Sequence, residues 1–166
     1  MRLLQALFAV LTPLYVLGAT ASNQLVDPTL EALAHGPNAQ LRATDKTGSG
    51  FTKAVGDFDG DGRADYAALK LSNPGGETFN LVVALSGEGG QERVLRTGDN
   101  IQAVGISSVK AGSHKTACSK GAGAAASDCK ADVRLEHDGI SLFTFESADT
   151  LLYIEHGSFK EIAIAD

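Results

Sequence analysis

The chain has 166 residues, with 14 basic against 20 acidic side chains and a formal charge of −6 at pH 7. That length suits one domain with a real core. The acidic balance argues against nucleic acid or an anionic membrane surface as a partner.

The first 21 residues read as an export signal. Met1-Arg2 is a short basic start, Leu3 to Leu17 is almost wholly apolar, and Ala19-Thr20-Ala21 has the small-x-small pattern of a signal-peptidase site. Cleavage before Ser22 is expected, which places the protein in the periplasm or outside the cell. The apolar run is short for a bilayer span, and no other segment is expected to cross a membrane. Loss of Arg2 would leave 13 basic against 20 acidic residues, so the exported chain is still acidic.

Residues 22–50 read as a short helix followed by loop. Asp27 suits the N-cap, Pro28 the first turn and Gly36 the stop, with Leu30, Leu33 and Ala34 as the apolar stripe. Asn38–Gly50 is polar and rich in Gly, Thr and Ser, and reads as loop.

From Phe51 the pattern is β. Ala67, Leu69 and Leu71 alternate along one run, and Phe79, Leu81, Val83 and Leu85 along the next. Asn73-Pro74-Gly75-Gly76 reads as the hairpin loop between them. Further strands are expected at Glu92–Arg96 and Ile101–Val109, and a tight hairpin at Asp138-Gly139 between Asp132–His137 and Ile140–Glu146. A last pair, Leu151–Glu155 and Phe159–Ala165, turns at His156-Gly157-Ser158. With Phe51–Val55 this makes roughly nine short strands, typical of an all-β domain. The expectation is a mostly β fold: a small antiparallel domain, propeller-like or an open sheet or barrel, with one short N-terminal helix. Residues 51–166 form that domain.

Cys118 and Cys129 are the only cysteines, and an even number in an exported chain reads as a disulfide. A two-thiolate metal half-site is the competing reading, but no His or third Cys lies near enough in sequence to complete it. The bridge would close a short Gly/Ala/Ser-rich ring and contribute about 3 kcal/mol in the chain-entropy model.

The most specific string is Gly56-Asp57-Phe58-Asp59-Gly60-Asp61-Gly62-Arg63-Ala64-Asp65. Carboxylates stand at loop positions that alternate, and calcium takes six to eight oxygens in a flexible shell. Asp57, Asp59, Asp61 and Asp65, with the carbonyl of Arg63, are the expected ligands of one Ca2+. An EF-hand would need Glu where the chain has Ala68, and helices where it reads as strand. The string resembles the calcium loops of FG-GAP or VCBS-type repeats. Such repeats normally recur to build a propeller, and no second copy is present.

The C-terminal half carries a second resemblance. Thr116-Ala117-Cys118-Ser119-Lys120-Gly121, Cys129, Leu135 to Ile140, Phe145 to Ala148, Tyr153, Gly157 to Lys160 and Asp166 look like a group of bacterial periplasmic proteins with one calcium loop. Some of those are similar in fold to lysozyme inhibitors and act as immunity proteins against secreted peptidoglycan hydrolases. The resemblance implies a non-catalytic binding protein whose partner is a secreted or periplasmic cell-wall hydrolase. His114, Lys115, Lys120 and Lys130, in and beside the ring, offer a cationic tip for an acidic cleft. The alternative is a carbohydrate-binding or adhesive envelope module. Ser107-x-x-Lys110 and Gly121-x-Gly123-x-x-Ala126 match enzyme motifs but lack their context, so no catalytic residue is assigned.

Overall fold

The computed structural model describes residues 28–121, 129–145 and 147–165. The expected export signal, the Asp27 cap, Glu146, Asp166 and the ring tip at 122–128 lie outside the described residues.

The chain is mostly β, as its alternation requires. β1 (Lys53–Gly56), β2 (Asp65–Leu71), β3 (Phe79–Ala84) and β4 (Glu92–Gly98) form one antiparallel sheet in chain order. β5 (Val104–Val109), β8 (Gly139–Thr144), β9 (Asp149–Glu155) and β10 (Ser158–Ala165) form a second, in the order β10-β9-β8-β5. β6 (Gly112–Lys115) and β7 (Asp132–Leu135) make a separate two-stranded hairpin. Two short helices, α1 (Pro28–Ala34) and α2 (Ala39–Arg42), precede the strands. No helix among the described residues is long and apolar enough to cross a membrane.

The inward residues of both sheets share one core. Leu69, Leu81 and Val83 of the first sheet meet Ile106, Ile140, Leu142 and Leu152 of the second, with Leu33 of α1 and Phe58 among them. Burying each large aliphatic side chain contributes about 1.5–3 kcal/mol, an upper bound because unfolded chains already bury some surface. Val133 and Leu135 of β7 join Leu151 in a smaller cluster that seats the hairpin on the second sheet.

The sheets meet at two seams without closing into a barrel. At one, the Ile106 amide donates to the Phe51 carbonyl at 2.7 Å, and Ser108 Oγ donates to the Val55 carbonyl at 2.7 Å. At the other, Arg96 pairs with Glu161 at 3.1 Å and the Arg93 guanidinium lies 5.4 Å over the Phe159 ring. The turn between β9 and β10 places His156 and Gly157 at positive φ, 51° and 72°, the twist that two-residue hairpins favour.

Four local readings are corrected. Asn38–Gly50 contains α2, because Arg42 is drawn inward. It is 5% exposed, and its guanidinium donates to the carbonyls of Gly50, Ile101 and Val104 at 2.8, 2.9 and 2.7 Å. Burial lowers its pKa to about 10, so it remains charged at neutral pH. Ile101–Ala103 is a 3₁₀ turn rather than the start of a strand, and Gly112–Lys115 is a tenth strand. Asp138-Gly139 does not close a hairpin: β7 pairs with β6, and β8 pairs with β5 and β9. Tertiary hydrogen bonds to Asp138, described below, override the local turn preference.

Asp45 holds the entry to β1. Its carboxylate accepts the amides of Thr47, Ser49 and Phe51 at 2.9, 3.1 and 3.0 Å, and the hydroxyls of Thr47 and Ser49. These bonds hold Phe51 at a φ of 59°, unfavourable for a residue with a side chain. Burial raises the Asp45 pKa, but the donors more than offset this and hold it well below the usual carboxylate range. The folded carboxyl therefore titrates below an unfolded Asp, near 3.9, so its contribution is complete above that pH and is lost as pH falls toward the folded pKa. Asp45→Ala is expected to cost about 1–2 kcal/mol at pH 7. Urea unfolding should show the gap between variant and wild type narrowing at pH 3.

Candidate metal centre

Strand pairing of Gly56 with Asp65 closes the loop 57–64. Within it, alternate residues part. Phe58, 1% exposed, enters the shared core, while Asp57, Asp59 and Asp61 converge on the other side. The carboxylates also shape the backbone. Asp57 accepts the amides of Gly60 and Gly62 at 2.8 and 3.1 Å, Asp59 accepts that of Asp61 at 3.1 Å, and Asp61 accepts that of Arg63 at 2.8 Å. Gly60 and Gly62 take φ of 80° and 79°, which only glycine adopts without strain. One oxygen from each of the three aspartates then lies within 4.8 Å of the others.

Asp65 has a different place. It is 2% exposed and lies outside that group. Its Oδ2 accepts the amides of Phe58 and Asp59 at 2.7 and 3.2 Å, and its Oδ1 accepts that of Ser86 at 2.7 Å. Asp65 thus anchors the loop from beneath and ties it to the 3₁₀ turn Ser86–Glu88. Ser86 Oγ donates to Asp61 at 2.9 Å, and the expected ligand Arg63 pairs through its guanidinium with Asp61 at 2.6 Å.

Two neighbours border the acidic cluster. A Cβ built on Gly87 would stand 2.6 Å from Asp59 Oδ2 and 3.4 Å from Asp61 Oδ2, so a side chain there would press on the carboxylates. On the opposite flank Asp138 receives the Asp57 amide at 3.3 Å, and its own amide donates to the Asp57 carbonyl at 3.0 Å. Lys110 Nζ and the Ala111 amide complete its shell at 2.8 and 3.1 Å. Burial raises the Asp138 pKa, and these donors more than offset it, so it stays ionised.

The electrostatics fit a cation. Three carboxylates share one small volume, and the Arg63 guanidinium hydrogen-bonds Asp61, whose pKa it lowers, while its charge also acts on Asp59 and Asp65. The donor atoms are all carboxylate oxygens, which suits a hard divalent ion rather than a thiolate- or imidazole-seeking metal.

The cysteines are bonded, with Cα atoms 5.7 Å apart, inside the range a bridge allows. Around the ring, His114 Nε2 lies 2.8 Å from the Lys110 carbonyl, and Lys115 pairs with Asp132 at 2.8 Å. Lys130 is exposed, and the Lys120 side chain lies outside the described residues. A cleft of about 300 Å³ beside Asp59 is lined by Glu88, Arg93, Glu136, His137 and His156. Sequence reasoning missed Ser86, Gly87 and Asp138. The Asp138-Gly139 pair read only as a turn, and nothing in the sequence singled out Ser86 or Gly87.

Titration calorimetry with calcium or magnesium should find one site per chain. Gly87→Ala is expected to weaken that site at least about tenfold, the scale of other changes beside metal ligands. Its unfolding free energy in chelator should stay within about 0.5 kcal/mol of wild type.

No family model, no curated protein and no solved structure matches this chain.

Proposed function

We propose that the protein is an exported, calcium-binding, non-catalytic binding protein that blocks a peptidoglycan hydrolase. The convergence of Asp57, Asp59 and Asp61 on one point carries the calcium half of this reading, because large, flexible all-oxygen shells are the chemistry of that ion. The bonded cysteines accord with an oxidising compartment. The inhibitory half draws on β6–β7, which pairs with neither main sheet, is seated on the second through Val133 and Leu135, and has the disulfide-closed ring at its end. A covalently closed ring loses less freedom when it enters a cleft, which favours affinity. Lysozyme-type clefts carry acidic catalytic groups, so the exposed Lys130 suits such a target.

A second reading, a carbohydrate-binding or adhesive module, is favoured by the cleft beside Asp59, whose polar lining suits hydroxyl groups. A glycan-array signal lost in chelator would select it.

The inhibitor reading is tested by following cell-wall lysis with a panel of lysozyme-type enzymes. Micromolar protein should slow at least one enzyme, and Lys120→Glu or Lys130→Glu should weaken the effect by about tenfold, as loss of a well-placed charge does. Lysis unchanged across the panel would contradict this reading.

A further inference from the structure

We infer that Asp138 is the positioning residue of the metal loop, and that through it the bound cation is coupled to the disulfide-closed hairpin. This rests on the reading of Asp57, Asp59 and Asp61 as a metal site.

Asp138 touches both structures at once. It exchanges two backbone-directed bonds with Asp57: the Asp57 amide donates to its carboxylate at 3.3 Å, and its amide donates to the Asp57 carbonyl at 3.0 Å. Asp57 is the first carboxylate of the cluster, so its main-chain position decides where its side chain stands. The same Asp138 carboxylate accepts Lys110 Nζ at 2.8 Å and the Ala111 amide at 3.1 Å. Lys110 and Ala111 lead directly into β6, while Glu136 and His137 lead out of β7. Asp138 therefore pins both legs of the hairpin at its root.

The approach is close. A Cβ on Gly56 would stand 3.0 Å from both Cβ and Oδ2 of Asp138, and a Cβ on Gly60 would strike the His137 ring. Gly56 is not among the positive-φ glycines, so its requirement is for space and not for conformation. The metal loop and the 136–138 turn are thus fitted against each other, with two glycines where they meet.

The hairpin runs from this root toward the ring, held on the second sheet by Val133 and Leu135 against Leu151. β6 and β7 are each four residues long, a reach of roughly 13 Å at strand rise. The Cys118–Cys129 bridge lies at the far end. A cation that fixes the Asp57 carboxylate restrains the Asp57 main chain, hence Asp138, hence the root of the hairpin. Calcium would in this way set how firmly the ring is presented.

The test uses the full exported chain. Calcium is titrated by calorimetry into wild type, Asp138→Asn and Lys110→Ala, and amide hydrogen exchange is followed with calcium and with chelator. Asparagine keeps the size of the side chain but loses the charge and puts an NH2 toward donors. Asp138→Asn should weaken calcium binding by about tenfold or more, the usual effect of losing a partner that orients a metal ligand. In chelator it should speed exchange at Asp57 and Ala111. Calcium should slow exchange across Gly112–Lys115 in wild type and much less in the variant. Lys110→Ala, which removes one bond and leaves Asp57 anchored, should show the same changes to a smaller degree and guards against a variant that merely unfolds. Unchanged calcium affinity in Asp138→Asn, or unchanged exchange at Asp57 and Ala111, overturns the positioning role. Calcium binding to wild type with no slowing in the hairpin overturns the coupling alone. No calcium binding to wild type overturns the metal reading, and the coupling with it, while the exchange in chelator still reports whether Asp138 anchors the loop.

Discussion

The acidic loop depends on the buried carboxylate of Asp65, which lies outside the group formed by Asp57, Asp59 and Asp61. Asp65 is buried at the first position of β2 and spends both oxygens on the amides of Phe58, Asp59 and Ser86. A buried carboxylate without donors is very costly, so the chain that supplies those donors cannot swing away. Bending it back over Asp65 sends Phe58 into the core and leaves Asp57, Asp59 and Asp61 on the outside, converging. The bond to Ser86 carries the same constraint to the next turn, where Gly87 borders the carboxylates. The shape of the candidate site is thus held from the core side.

The antiparallel registers gather several connections at one end of the molecule. The acidic loop, the turn after β3, the turn before β8 and the turn between β9 and β10 all lie there, and residues from all four line the cleft beside Asp59. The other end is organised by different polar groups, Arg42 and Asp45, which tie the helices and the start of β1 to backbone carbonyls and amides. A small two-sheet core thus carries its chemistry on connections whose backbone is fixed by buried or half-buried charges, in keeping with loops held on a rigid scaffold.

Much of the fold was legible in the chain because period two is a local property. The runs at Ala67–Leu71 and Phe79–Leu85 became β2 and β3 with the Pro-Gly-Gly hairpin between them. The disulfide followed from an even number of cysteines in a chain expected to be exported. Non-local choices were not legible. Asp138-Gly139 has the composition of a hairpin turn, yet Asp57, Lys110 and Ala111, far away in sequence, claim its carboxylate. Arg42 looked like one more polar loop residue until three carbonyls drew it inside. In the site, the spacing Asp-x-Asp-x-Asp-Gly marked the three converging aspartates correctly. Spacing could not tell which aspartate faces outward and which lies beneath, because that depends on Ser86, contributed by the turn that follows β3.

The unfolding free energy of Asp65→Asn in excess chelator tests this account most directly. If Asp65 is the anchor, the substitution strands backbone donors whether or not an ion is bound, and the metal-free protein should lose about 2–4 kcal/mol. If Asp65 were instead a fourth ligand of the ion, removing its charge would relieve repulsion in the metal-free loop. Metal-free stability equal to or above that of wild type would contradict the account.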